Sequence, residues 1–539
     1  FAGGDGYLIS LNITTGRKLA KQSIKGHVLS LAVADGRLFV STESGAIHCL
    51  GPRALAGAAR LIKQPIKKAN PGAVVSKAGA TALKTTAVNR GWCLVAGARD
   101  GSLAEFLVKQ TQLNVVVMEQ EANRRQTIRA RLMKSGVLGS RVIVLGGAYG
   151  DLPDYFANLI LSERAMLGEE VNLPVNELAR VLQPSGGQLL LGSIKDWPLA
   201  SVQKVAAGLK ASAQAETTLK YANDHLHFTR GKLKGAGSWT GLYGNTANTS
   251  STPDTLVKGP LGVLWYGEPG SEDMVDRHAR AASPLAINGR LFMQGAEVVM
   301  GYDAYNGTFL WKRAIPGAVR VRVDVDGSNI TATDDAVFVA THSRVLQLDA
   351  STGKTIREFS VPREEGGKTL RWGYIAVHDN ILIGTGAAPM ANEYGYLWNS
   401  IVKDGKWLPE KDVPKAALST LQKVKVNYAQ PDERAYAYFK RAGLHWHAIN
   451  AFPGWLPDHK PSPVTSKIMT SEKVFAFDIT TGKMLWEHEG KSIPNISLVI
   501  GDGRVYFLKD DLDALERAQA KATTEANIGS GTFITDDEK

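Results

Sequence analysis

The residues with the best-defined chemistry form a glycine turn and two carboxylates. Gly97-Ala98-Arg99-Asp100-Gly101 follows the apolar run GWCLVAG and opens a stretch, Ser102 to Thr111, with helical patterning. A glycine turn between a strand and a helix lets backbone approach a ligand, and the helix N-terminus favours an anion or a polar group there. Glu119 closes the next apolar run, LNVVVMEQ, eighteen residues past Gly101, where a carboxylate can accept hydrogen bonds from ribose hydroxyls. Asp151, in LGGAYGDLP, is a candidate contact for a nucleobase. A second group, His445-Trp446-His447, places two imidazoles at i and i+2, on one face of a strand, where a metal pair could form. No third ligand is evident, so His445 and His447 stand as bare candidates and the same aromatic-rich loop fits a cap that packs Trp446 and Trp455. Arg99 is unusual in a ligand turn: it either fills the space or pairs with a ligand carboxylate.

Positioning the first group requires strands that alternate with helices. GWCLVAG, LNVVVMEQ, RVIVLGG and NLILS read as strands, and Ser102 to Thr111 and Asn123 to Ser135 as helices, which implies a doubly wound, mostly parallel sheet. The turn and Glu119 alone would serve NAD and S-adenosylmethionine proteins equally. Glu177 to Ser193, ELARVLQPSGGQLLLGS, is more specific. With VAGARDGS, Glu119 and YFANLILSE it resembles class I SAM-dependent methyltransferases over residues 89 to 195. That resemblance implies a Rossmann-like fold in which Gly97, Arg99 and Gly101 shape the cofactor turn, Glu119 holds the ribose and Asp151 lies near the adenine. Two departures stand against it: Val95 where an acidic residue is usual, and Gly147 where the adenine-side acid is expected.

Around this insert runs a repeat. KVFAFDITTGKMLWE (473 to 487) is an alternating strand, an Asx-x-x-x-Gly turn and a second strand, and the layout recurs at Asn12/Gly16, Asp303/Gly307 and Asp349/Gly353. Hairpin signals at Asp35-Gly36, Asn288-Gly289, Asp334-Asp335, Asp379-Asn380 and Asp502-Gly503 each precede an apolar strand. Asp303 to Asp349 sets a period of 46 residues, the length of a four-stranded propeller blade. Trp311 and Trp486 fall at equivalent places and are expected to pack between blades. With GSWTGLYGNTANTSS and PLGVLWYGEPG, these repeats resemble PQQ-repeat (quinoprotein alcohol dehydrogenase-like) β-propellers, and the combination with a methyltransferase-like insert is similar to large planctomycete-type bacterial proteins. The adjacent cysteines of true quinoprotein dehydrogenases are missing, since Cys49 and Cys93 stand far apart, so PQQ with calcium is not expected.

The expected organisation is a β-propeller, incomplete in this chain, with an inserted α/β domain. Residues 1–51 hold the first blade strands, 52–88 a basic linker free of acidic residues, and 89–228 the Rossmann-like insert. Blades follow at 229–388, a His/Trp-rich insertion at 389–472, a further blade at 473–513 and a helical segment at 514–539. The chain has 539 residues, 44% of them hydrophobic, and a formal charge of +11, which favours anionic partners without pointing to nucleic acid. No apolar run is long enough for a membrane span, and two cysteines exclude a disulfide scaffold. It opens at Phe1 inside a repeat, so truncation or processing is expected, with missing blades or another chain closing the ring. Three functions compete: a scaffold that presents propeller loops to a protein or small-molecule ligand, a SAM-dependent methyltransferase that uses the propeller for recognition, and a PQQ-dependent dehydrogenase. If the protein is an enzyme, methyl transfer is expected ahead of quinone chemistry. A propeller of this class implies a periplasmic or exported protein, an active methyltransferase a cytoplasmic one.

Overall fold

A computed structural model describes residues 1–42, 46–51, 72–222, 224–269, 273–274, 282–295, 298–316, 318, 327–341, 344–362, 370–387, 402–403, 406–407, 409–412 and 470–509. The chain divides into two compact units, Phe1–Lys67 and Lys68–Lys539. The first unit is an antiparallel sheet of β1 (Ala2–Leu11), β2 (Lys18–Ala34), β3 (Arg37–Thr42) and β4 (Ile47–Leu50), in that order. Leu8, Ile24, Val28, Leu38 and Val40 form its small core.

In the second unit, the alternation of apolar strands and helices produces a seven-stranded sheet. Its strands are β5 (Arg90–Ala96), β6 (Gln112–Met118), β7 (Val142–Leu145), β8 (Leu159–Leu161), β9 (Gln188–Leu191), β10 (Ala215–Ala222) and β11 (His225–Leu233). The order is β10-β11-β9-β8-β5-β6-β7, parallel from β9 to β7, with β11 antiparallel to both its neighbours. Period-two burial divides each strand between two cores: Leu94, Val116 and Ile160 face α5 (Val175–Val181) and α6 (Leu199–Ser212), whereas Cys93, Val95, Val115 and Leu159 face α2 (Ser102–Gln110) and α3 (Ala122–Lys134). Two boundaries differ from the expected ones. The stretch read as basic linker, 52–88, contains α1 (Ala73–Thr86), whose Ala82 joins the same core as Leu103 and Phe106; it is a helix because its apolar residues recur at helical spacing and bury one stripe. The sheet also ends at Leu233 rather than 228, because β11 must run far enough to pair with both β10 and β9.

Three four-stranded antiparallel sheets follow: β12 (Leu285–Ile287) to β15 (Phe309–Ala314), then β16 (Ile330–Ala332) to β19 (Thr355–Ser360), then β20 (Arg371–His378), β21 (Ile381–Ala387), β24 (Thr470–Asp478) and β25 (Met484–Pro494). Between them lie β13 (Arg290–Gln294), β14 (Val298–Asp303), β17 (Ala336–Ala340) and β18 (Arg344–Asp349), and the short hairpin β22 (Val402–Lys403) with β23 (Lys406–Trp407). A last hairpin joins β26 (Val499–Gly501) to β27 (Arg504–Tyr506). These are the expected blades, and the turn chemistry explains them. Asn288-Gly289 and Asp502-Gly503 have positive φ at both central positions, as a tight two-residue hairpin demands. In each Asx-x-x-x-Gly turn one carboxylate or amide oxygen accepts two backbone N–H groups; for Asp349 these are Ser351 at 3.1 Å and Thr352 at 2.8 Å. The glycine N–H then donates back to the Asx carbonyl, at 2.8 Å for Gly353.

The α/β domain and the first of these sheets are joined through a buried carboxylate. Asp303 Oδ1 accepts from Tyr305 and Asn306 in its own turn, while Oδ2 accepts from Asn158 Nδ2 at 2.9 Å, across the domain boundary. Asn158 Oδ1 accepts from the Trp92 amide at 2.9 Å and from Asn306 Nδ2 at 2.8 Å, which leaves its amide one orientation. Tyr155 meets Tyr305 edge to face at 5.5 Å. Burial pushes the Asp303 carboxyl up to about 6. The folded chain therefore holds this proton more tightly than the unfolded one, so the associated stability is present below about pH 4 and is lost as pH rises through about 6. Asp303→Asn, which keeps the turn as Asn12 does, should remove this dependence. Denaturant unfolding of both proteins from pH 4 to 7 should show their difference changing by on the order of 3 kcal/mol.

Candidate functional site

The strand tips of the parallel sheet bring Gly97, Arg99, Gly101 and Glu119 to one edge, as their spacing implies, and each is held by the chain itself. Gly97 and Gly101 both have positive φ, 72° and 83°. At Gly101 an added Cβ would meet Ile128 Cγ2 at 2.9 Å, so this glycine serves the packing of α2 on α3. At Gly97 an added Cβ would meet Ser162 Oγ and Val171 Cγ1, each at 3.0 Å, so a side chain at this position would be crowded.

Glu163 was not among the candidate ligand residues, yet it organises the turn. It follows β8, at the start of the short helix α4 (Glu163–Met166), and is 1% exposed. Its Oε2 accepts the backbone N–H groups of Arg99 at 2.8 Å, Asp100 at 3.3 Å and Gly101 at 3.1 Å. Its Oε1 accepts the Leu103 N–H at 2.8 Å and the Ser102 hydroxyl at 2.7 Å. The positive end of α2, where a ligand anion would sit, is thus occupied by a protein carboxylate. The one sequence signal was a glutamate directly after the strand LILS.

Tyr149 closes the other side of the turn. The tyrosine ring is partly buried, and its hydroxyl lies close enough to Glu119 to feel its charge; burial, with Glu119 adding to it, pushes the phenol up to about 12. The Gly97 carbonyl accepts from the Arg164 N–H at 3.1 Å. Arg180 fixes the segment that carries Tyr149, donating to the Tyr149 carbonyl at 3.0 Å and the Leu152 carbonyl at 2.8 Å.

Glu119 sits at the end of β6 with its carboxylate nearly buried, accepting from the Glu121 N–H at 2.8 Å and lying 2.9 Å from Arg124 Nε. Arg99 is exposed and turned toward Glu169, at 4.0 Å. Asp151 is exposed, and its Oδ2 accepts the Ala148 N–H at 3.1 Å, capping its own loop. His445 and His447 lie outside the described residues, as do Trp446 and Trp455; among the described residues no cluster of three His, Cys, Asp or Glu side chains forms a metal site. Cys93 is buried, and burial pushes its thiol well above the ordinary thiol range, which leaves it inert.

The second unit combines a mostly parallel α/β sheet with three four-stranded antiparallel sheets. Residues 260–391, from the segment before β12 through β21, match the family model described as outer membrane protein assembly factor BamB. The chain is also similar to solved methyltransferases over its α/β part. One is a putative S-adenosyl-L-methionine-dependent methyltransferase from Methanococcus maripaludis, 15% identical, covering 30% of this chain and 85% of that one with a TM-score of 0.26. Another is the SAH-bound methyltransferase PaMTH1 of Podospora anserina, 18% identical over 29% of this chain and 76% of that one, TM-score 0.23. A SAM-dependent methyltransferase from Aquifex aeolicus is 18% identical over 28% and 88%, TM-score 0.23. No curated protein matches the chain.

Glu163→Gln tests the closed turn. Its oxygen can serve one side of the cradle, but its NH2 group then faces N–H donors. The variant should lose about 3 kcal/mol of stability, measured by denaturant unfolding, because several buried donors lose their acceptor.

Proposed function

We propose that this protein is a binding or scaffold protein whose α/β domain keeps the methyltransferase-type fold but uses its cofactor edge as internal structure. The observation that carries this reading is Glu163, buried at the strand tips, whose two carboxylate oxygens accept the N–H groups of Arg99, Gly101 and Leu103. The other groups a cofactor would need are engaged in the same way. Glu163 fills the α2 N-terminus, Arg124 and the Glu121 amide hold Glu119, and Asp151 caps its own loop. These residues do not fit S-adenosylmethionine in this arrangement, and no transfer step is derived through it. What remains for interaction is the outer surface of the blades and of the domain fixed to them. That agrees with the description of the family matched by residues 260–391, which names an assembly factor.

Isothermal titration of the chain with S-adenosylmethionine is the direct test. No saturable heat is expected up to high micromolar ligand, corresponding to a dissociation constant weaker than about 1 mM. Saturable binding below about 100 μM would overturn the scaffold reading and restore that of an active methyltransferase.

A further inference from the structure

In the first unit, β2 serves two ladders in turn. Its first half pairs with β1, from Leu11 opposite Lys18 to Asp5 opposite His27, and its second half pairs with β3, from Val28 opposite Thr42 to Ala34 opposite Arg37. Register irregularities fall on both sides of the change-over, between Asp5 and Tyr7 and between Val28 and Ser30, and irregularities of this kind bend a strand. The two halves together line a cleft of about 410 Å³, a volume within the usual range of small-molecule sites. Leu8 of β1 and Leu38 of β3 are buried against it, and Val33 and Leu50 extend its apolar lining, with Val33 exposed. An apolar lining open to water gains from an apolar occupant.

The polar groups of the lining are few, and they have no other task. Gln22 stands opposite Leu8 and Ser10 opposite Ala20, and neither side chain has a hydrogen-bond partner among the described residues. Arg37 opens β3 with its stem beside Gly51, where an added Cβ would meet the arginine Cγ at 3.4 Å. Its guanidinium has neither an ion-pair nor a hydrogen-bond partner among the described residues, although Asp35 is two positions away. Arg17, Lys18, Lys21 and Lys25 add positive charge on and before β2, whereas Asp5 and Asp35 are the acids among the described residues of this unit. A guanidinium presents a planar fork of donors that matches a carboxylate. An apolar cleft with an unpaired guanidinium in its lining is therefore complementary to a molecule with an apolar body and one anionic head.

We propose that the first unit binds a small amphiphilic carboxylate, its chain between Leu8, Val33, Leu38 and Leu50 and its head on Arg37, with Gln22 and Ser10 as further donors. A carboxylate suits the site better than a phosphate dianion, because one guanidinium balances one negative charge. The site lies wholly within the first unit and does not depend on how the α/β domain is read.

Isothermal titration of the full chain with octanoate tests this. Saturable binding of one octanoate per chain is expected, with a dissociation constant below about 1 mM. Hexanoate, shorter by two methylenes, should bind about tenfold more weakly. Octanol, which lacks the charge, should also bind about tenfold more weakly than octanoate, and Arg37→Gln should erase that preference while Arg37→Lys keeps part of it. Val33 is exposed, so Val33→Asp should leave the fold intact and abolish octanoate binding. Absence of saturable octanoate binding, equal affinity for octanol, or an octanoate affinity indifferent to Arg37→Gln and Val33→Asp would overturn the proposal. One octanoate per two chains would also overturn it, by assigning the cleft to an interface between copies.

Discussion

The repeat region depends on one recurring constraint: a flat side chain, Trp265, Trp311 or Arg357, lies on the glycine of the Asx turn that follows it in the series, Gly307, Gly353 or Gly482. The glycine is required twice over. Its φ, 69° at Gly307 and 68° at Gly353, is one that residues with a Cβ rarely adopt, and the direction in which a Cβ would project is filled by an indole at less than 3 Å. The partner side chain is less constrained, because the turn offers carbonyls that accept from an indole or from a guanidinium. This asymmetry explains why the turn glycine recurs at 307, 353 and 482 while the facing position varies among Trp265, Trp311 and Arg357. Stability in such an array is a sum over neighbours, so the interlocking turns matter more than the burial of any one blade.

The α/β domain applies similar economy to its ligand edge. A helix N-terminus and a glycine turn present several N–H groups that need acceptors whether or not a ligand arrives. Here Glu163 supplies both carboxylate oxygens to the turn and α2. A buried carboxylate surrounded by donors is stable where an unpaired one would not be. The features that make an anion site in one sequence therefore make a rigid corner in another, and the difference lies in which acceptor is covalently attached.

Much of the architecture was legible in the sequence because it is written in local chemistry. Asp-Gly and Asn-Gly hairpins, Asx turns and period-two apolar runs specify blades within a few residues, and ELARVLQPSGGQLLLGS specifies the α5 to β9 connection. The linker was misread beyond residue 72 because α1 is Ala- and Lys-rich, and such composition is shared by solvated segments and by helices that bury a narrow stripe. Gly97, Gly101 and Glu119 do converge. What closes around them was hidden, since Glu163 and Tyr149 are 66 and 52 residues from Gly97 and no local pattern announces a side chain that reaches across strand tips. Asn158 was equally silent: its role appears only when a turn 145 residues away comes to rest against it.

That last contact bears on how the inserted domain works. The carboxylate that forms the Asp303 turn also receives the Asn158 amide, so the geometry of one blade and the seating of the α/β domain are set by the same group. Asp349 and Asp478 form the same kind of turn, yet each spends its Oδ1 on its own loop, including a threonine hydroxyl. At Asp303 the corresponding position is Asn306, which reaches instead to Asn158 and to the Phe156 carbonyl, at 2.8 and 2.9 Å. An asparagine at the threonine position thus gives up the side-chain bond within the turn and turns the same position outward as a docking surface. The domain is fixed through polar groups with defined directions, which specify orientation better than apolar packing of the same area. One carboxylate thus sets both the turn of the blade and the direction in which the α/β domain meets it.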